Sequence, residues 1–222
     1  MPNYCWNHIH MNGIRNKDLF NEHDQFDFNK IIPIPESLNM DAGTLTDKGI
    51  DLVILCIFQH WLTEPSYRIP IRSKQAVMTL YNEISSHLNR PPITVEDNEK
   101  IKALGLQALS NIAMHGYPTW YDWCCHHWGT KWNCWDTFIE DDDNISFTTA
   151  WCIPYGIFIE LSSMFPYDEI TVTWEEEGGT CGITAFLDGE CIQNDEYVTI
   201  DYYDEDKPKL FSKLKLLEDQ EE

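Results

Sequence analysis

Residues 145–187 read ISFTTAWCIPYGIFIELSSMFPYDEITVTWEEEGGTCGITAFL, and the spacing of their apolar residues changes twice. Ile145, Phe147, Thr149 and Trp151 alternate with Ser146, Thr148 and Ala150, the period of a half-buried strand. Pro154 to Phe165 then reads as a helix, with a proline near its first turn and Pro166 beyond its end. Ile170, Val172 and Trp174 form the inward face of a second strand, Gly178-Gly179 makes a turn, and Cys181, Ile183, Ala185 and Leu187 continue as the hairpin partner. The order is strand, helix, strand, strand.

Further out, Tyr197 to Tyr203 reads as an edge strand, and another strand is expected near Cys134 to Glu140. Tyr4 to Met11 alternates Tyr4, Trp6, His8 and His10 with Cys5, Asn7, Ile9 and Met11 and stops at Asn12-Gly13, a strand leading into a turn. Asp24 to Pro35 mixes apolar residues with two prolines and reads as extended. These pieces predict an α+β protein: a ferredoxin-like antiparallel sheet with helices packed on one face.

The stretch between them is helical and is expected to be an inserted lobe. After Gly43, Thr46 is placed to cap a helix over Asp47 to Leu62 that is apolar on nearly all sides and therefore buried. Val77, Leu80, Tyr81, Ile84 and Leu88 follow at helical spacing, and so do Ile101, Leu104, Ala108, Ile112 and Ala113 after a capping pattern at Thr94 to Asp97. Thr119 to Trp128 reads as one more short helix. The expected division is 1–40 for the first strand and extended segment, 41–116 for the lobe, 117–206 for an aromatic motif and the remaining sheet, and 207–222 for a charged tail.

The chain has 222 residues, 43% of them hydrophobic, enough for a core without staples. Its longest apolar run, Ile50 to Leu62, contains Asp51, Gln59 and His60 and is too short and polar to span a bilayer. Met1-Pro2-Asn3-Tyr4-Cys5 has no basic start followed by an apolar stretch, so a secretory signal is not expected and the location is read as the cytoplasm of a bacterial host. There the eight cysteines stay reduced, and several serve as small buried apolar residues.

Charge is the most unusual property. The net charge is -22, and no Lys or Arg occurs between Lys131 and Lys207, a span holding nineteen carboxylates. Glu140, Asp141, Asp142 and Asp143, then Glu175, Glu176 and Glu177, then Asp204, Glu205 and Asp206 are its densest clusters. Such a segment repels phosphates, which disfavours direct nucleic-acid binding and docking on an anionic membrane. It attracts a basic surface on another protein, and an acidic face formed by these ten residues is the expected partner-binding site.

Tyr117 to Trp135 holds five tryptophans, three cysteines and two histidines. Cys124 and His127, one helical turn apart, are weak candidates for a metal site completed by Cys134, Cys5, His8 or His10, but the spacing matches no zinc finger or ribbon, and no metal or cofactor is expected. Asp122 with His126, and Cys124 or Cys125 near His127, are the only pairs that suggest catalysis. No phosphate loop, nucleophile elbow or dinucleotide fingerprint occurs.

Trp128-Gly129-Thr130-Lys131-Trp132, preceded by Tyr121-Asp122-Trp123, stands with Met1-Pro2-Asn3 and Phe28-Asn29-Lys30-Ile31-Ile32-Pro33-Ile34-Pro35. Together with Phe147-Thr148-Thr149-Ala150-Trp151 and Glu177-Gly178-Gly179-Thr180-Cys181-Gly182, this set resembles the YubB ferredoxin-like family of phage and plasmid proteins. One departure is His127, where family members often carry Asn. The resemblance implies a ferredoxin-like fold and a mobile genetic element as source, without a catalytic residue set. A structural role is expected for Trp123, Trp128, Gly129, Thr130, Lys131 and Trp132: the two tryptophans flanking the glycine turn as core anchors, with Lys131 stacking on Trp128 or Trp132.

The expected function is a non-catalytic acidic binding protein of a phage or other mobile element, a counter-defence inhibitor that engages the basic, nucleic-acid-binding surface of a host protein as a DNA mimic does. The alternatives are a small hydrolase or nucleotide-binding enzyme with a Cys/His site near residues 122–134, and a structural or assembly protein.

Overall fold

The computed structural model describes residues 3–63 and 99–198, with the side chains of 58–63 and 198 left aside. The expected helix around Val77 to Leu88, the capping pattern at Thr94 to Asp97, the acidic Asp204, Glu205 and Asp206, and the 207–222 tail lie outside the described residues. Two compact units are present: the chain up to Ile34 together with the chain from Trp123 onward, and the chain from Pro35 to Asp122.

The first unit is a six-stranded, wholly antiparallel sheet: β1 (Tyr4–Met11), β2 (Trp135–Ile139), β3 (Asn144–Ala150), β4 (Ile170–Glu176), β5 (Thr180–Leu187) and β6 (Glu190–Val198), in the order β2-β3-β1-β4-β5-β6. With one helix before β2 and another between β3 and β4, the first four strands form two interleaved split units, β1 to β2 around β3 and β3 to β4 around β1. That is the ferredoxin-like arrangement, extended on one side by the β5–β6 hairpin.

The core lies on one face of the sheet. Ile9 of β1 sits between Ile145 of β3 and Val172 of β4, with Asn7 beside Phe147 and Trp174 in the next row. The buried Asn7 amide donates to Cys5 O (3.0 Å) and to Thr149 Oγ1 (2.9 Å), so its burial leaves no donor wasted. Helix Tyr155–Met164 covers this face, its Phe158 ring 6.4 Å from Phe147 and 5.4 Å from Phe186. Phe26 stacks on Phe147 at 5.2 Å, and Phe28 meets Trp128 edge-on at 5.4 Å.

Several local expectations are corrected. Asp24 to Pro35 is not simply extended: a 3-10 turn at Phe28–Lys30, capped by the Asp27 side chain, aims Phe26 and Phe28 into the core. The expected hairpin is present, and on β5 its core face is Gly182, Thr184 and Phe186, opposite Trp174, Val172 and Ile170. Gly182 is required there, because a Cβ would meet the Trp174 indole at 2.9 Å. An edge strand runs Glu190–Val198, hidden in the sequence by its polar alternation and created by the Asp188-Gly189 turn, while residues 199–203 of the expected Tyr197 to Tyr203 strand lie outside the described residues. Trp151 lies beyond β3, at φ 74°, rather than on its inward face.

In the second unit, helix α1 (Thr44–Thr63) and helix α2 (Glu99–His115) meet at a pair of glycines. A Cβ on Gly49 would strike the backbone at Ile101 and Gly105, and one on Gly105 the Gly49 carbonyl. Each mid-helix glycine costs about 1 kcal/mol against alanine, which the backbone-to-backbone approach offsets. Thr46 is inside α1, its hydroxyl donating to Asp41 O, instead of capping it, and Leu45, Ile54 and Ile57 are exposed, so α1 is not buried all round. On α2 the sealed positions are Gly105, Ala108 and Asn111, while Ile112 and Ala113 face outward. Asn111 donates to Ser37 O (2.9 Å) and Pro118 O (3.0 Å) and accepts from Gln107 (3.1 Å), tying the flanking loops to the helix.

Candidate binding surface

The short helix α3 (Trp120–His127) begins in the second unit and ends in the first, where Trp123 and Cys124 are buried. Its exit is the tryptophan motif. Trp128 is sealed, with its indole N–H donated to Ile32 O at 2.9 Å. Gly129 follows at φ 85°, with Tyr155 N only 3.0 Å from where a Cβ would stand, so glycine is needed for both conformation and space. Thr130 is buried and donates to Ala150 O at 2.8 Å.

Beyond that point the expected role changes. The left-handed turn carries the chain to the opposite side of the sheet, and Trp132 is 42% exposed, so only Trp128 of the two tryptophans is a core anchor. Lys131 does not stack on Trp128. Its ammonium lies 3.8 Å from the Trp132 ring centre and 4.4 Å from that of Trp151, a cation held between two indoles. Trp151 reaches it from a left-handed backbone position that a bulky residue adopts only at a cost of about 1–3 kcal/mol.

Trp132 leads onto the sheet face opposite helix Tyr155–Met164. In register across all six strands run Trp135, Thr148, Trp6, Glu175, Cys181 and Tyr197. Trp6 is 41% exposed, and Tyr4 bridges it (6.5 Å) to Trp135 (5.7 Å), whose ring is 6.3 Å from Trp132. The next row begins with Phe138, Ser146, His8 and Thr173. A bulge in β2, with Asp136 at φ 53°, puts both Trp135 and Phe138 on this face although they are three residues apart. Glu140 belongs to the same face: it accepts from Ser146 Oγ at 2.8 Å and lies 3.3 Å from His8 Nε2.

Among the described residues the acidic clusters lie at opposite ends of β1. Asp141, Asp142 and Asp143 make the β2–β3 turn at the Met11 end of β1, where Met11 N donates to Asp143 O. Glu175, Glu176 and Glu177 sit at the Tyr4 end, where Glu177 N donates to Tyr4 O. The clusters are thus separated by the length of β1, about 23 Å for eight residues in a strand. Several of these carboxylates also build the fold. Asp141 accepts from Asp143 N and Asn144 N (both 2.8 Å), and these donors hold its carboxyl below the usual value. Asp143 accepts from Gly13 N (2.6 Å), Glu176 from Asn3 Nδ2 (3.2 Å) and Glu177 from Tyr4 N (3.1 Å).

The cysteines and histidines are dispersed. Burial pushes the Cys124 and Cys5 thiols up to about 12, and raises Cys134, whose thiol donates to Phe26 O at 2.8 Å. Cys5 faces the core while His8 and His10 occupy the other face of the same strand, so they cannot converge on one ion with it. Burial lowers His127, whose ring lies 4.5 Å from that of Trp123. Among the described residues no three His, Cys, Asp or Glu side chains gather as metal ligands. Asp122 and His126 are both exposed on α3. No helix among the described residues is long and apolar enough to cross a membrane. Sequence reasoning missed the Trp6–Glu175 row, because only the pairing of β1 with β4 brings these residues together; the alternation of Tyr4 and Trp6 with smaller residues was the available signal.

Residues 127–209 match the family model described as the ferredoxin-like domain in Api92-like protein, in agreement with the fold observed. The structures similar to this chain include the crystal structure of a protein api92 from Yersinia pseudotuberculosis, at TM-score 0.40 and 13% identity, covering 90% of this chain and 99% of that one. No curated protein matches.

Proposed function

We propose that the protein is a non-catalytic binding protein that engages a basic surface on another protein. In its concrete form it is the product of a phage or other mobile element, a counter-defence inhibitor that occupies the nucleic-acid-binding surface of a host protein as DNA would. The observation that carries this reading is uncompensated charge. From Trp132 to Val198 there are fifteen carboxylates and no Lys or Arg, and of these fifteen only Asp168 forms an ion pair with a Lys or Arg of the described residues, Lys17, at 2.8 Å. Such a surface speeds the approach of a basic partner and discriminates against acidic ones. The separation of the two acidic clusters favours a broad partner surface over a short peptide. A non-catalytic role is supported by the thiols of Cys5 and Cys124, which burial keeps protonated, when nucleophilic cysteines work as thiolates.

The test must spare the carboxylates that hold turns. Asp142, Glu160, Glu169 and Glu190 are exposed. Changing all four to Lys should release a basic protein that the tagged full chain retains from nuclease-treated bacterial lysate at low salt, and high salt should release it from the wild type. Equal retention by the variant, or nothing retained by either, would overturn the proposal.

A further inference from the structure

We infer that the sheet face opposite helix Tyr155–Met164 is itself a docking site for a cationic segment of a partner protein, with an arginine side chain seated over Trp6 and paired with Glu175. This rests on the acidic-binding reading above and says where that binding is centred.

Three observations point there. The first is the row itself. Trp6 and Glu175 are direct cross-strand neighbours with side chains on the same face, flanked by the small side chains of Thr148 and Cys181 and then by Trp135 and Tyr197. Within this row Trp6 is 41% exposed and Glu175 half-buried, so a ring and a carboxylate side by side are both reachable from solvent. The second is chemical complementarity. An aromatic ring beside a carboxylate offers a guanidinium both things it binds best, a π-face and a bidentate acceptor. No Lys or Arg of β2 to β6 competes for Glu175, because those strands contain none. The third is internal precedent. Next to the row, the chain's own Lys131 is already clasped between Trp132 and Trp151, so the rings of this face accept a cation in the geometry the proposal needs.

Exposed aromatic rings on a sheet face also suit stacked nucleobases. The charge decides against them. Glu175 and Glu140 are on this face, Glu176 and Glu177 adjoin it, and the only cation described beside the rings is Lys131, which they already hold. Phosphates arriving here would meet carboxylates without counter-cations.

The test uses the full-length protein and three fluorescein-labelled probes: nona-arginine, nona-lysine and a twelve-residue oligothymidylate, each followed by anisotropy at two salt concentrations. Nona-arginine should bind more tightly than nona-lysine and quench tryptophan fluorescence. Trp6→Ala and Glu175→Gln should each weaken it at least fivefold, the double variant should lose less than the product of the two, and Trp6→Phe should restore most of the Trp6→Ala loss. Tyr167→Ala, a fully exposed site outside the row, should change nothing. Thermal melts of every variant establish that the fold is retained, and Glu175→Gln, which keeps the side-chain volume, covers the case in which Trp6→Ala melts early. Salt-sensitive nona-arginine binding that is unchanged in both variants would overturn the docking site while leaving the acidic-binding reading standing. Absence of binding to either basic peptide would overturn the docking site, while the acidic-binding reading is decided by the lysate retention of the four-carboxylate variant. Oligothymidylate binding lost in Trp6→Ala would overturn both in favour of base stacking.

Discussion

On one side of β1, Cys5, Asn7, Ile9 and Met11 are sealed beneath phenylalanines; on the other, Tyr4, Trp6, His8 and His10 meet solvent to varying degrees. Both sets are carried by the same eight residues and differ only in parity, yet they follow different rules. The covered face uses Phe, Ile and Val with satisfied polar groups, the composition of a core. The opposite face has rings of comparable size but adds carboxylates and a caged lysine, which a core would exclude. Large aromatic residues alone therefore do not mark the interior of this protein; what separates the faces is whether a charged group stands beside the ring.

The largest effect that would break the comparison is a loss of equivalence between faces. Phe147→Ala removes a ring packed against Phe26, Phe28 and Phe158, and should cost about 3–5 kcal/mol in urea unfolding. Trp6→Ala, a larger truncation on the neighbouring strand next to Asn7, the register partner of Phe147, should cost under about 1 kcal/mol if its face is a surface. Gly129→Ala, at the crossing point between the faces, should fall between them, at about 1–2 kcal/mol or more for a left-handed alanine. Thiol chemistry reads the same division without mutation. At pH 8, Cys5, Cys124 and Cys134 should resist alkylation in the native protein for longer than Cys191, as mass spectrometry of timed samples would reveal.

The smallest effect is a pH dependence. The native Asp141 carboxyl lies below its ordinary 3.8, so its contribution to stability is present above that pH and disappears as the pH falls through the lower native value. The melting temperature of the wild type should therefore fall more steeply below pH 4 than that of Asp141→Asn.

Local period made β1, β3 and β4 readable from sequence, because each has one sealed face and a charged or polar opposite one. Helix Tyr155–Met164 was legible from its bracketing prolines. What alternation cannot supply is pairing. On β5 composition does not mark the inward side, because Cys181 and Ala185 are buried on the face opposite the core, while the residues that face the core include a glycine and a threonine. The tryptophan motif was misread at its second half for a related reason. Sequence marks Gly129 as a turn but not where the turn delivers Trp132, and that depends on Thr130 reaching Ala150 O across the sheet. Proximity in sequence likewise says nothing about which end of a strand an acidic cluster occupies, and Asp141 to Asp143 and Glu175 to Glu177 fall at opposite ends of β1.

The central position of β1 carries a further consequence, in time rather than in space. Its partners begin at Asn144 and end at Glu176, so β1 waits for two strands made long after it before it is enclosed on both sides. At roughly 5–20 residues per second, about 8–32 s separate the synthesis of Met11 from that of Ile170, its neighbour in β4. Throughout that interval a strand ending in Ile9 and Met11 is without its ladder, and closing it requires contacts of high sequence separation, the slow kind. Folding of this protein should accordingly be sensitive to translation speed and to holdase chaperones, with the sensitivity concentrated in its first eleven residues.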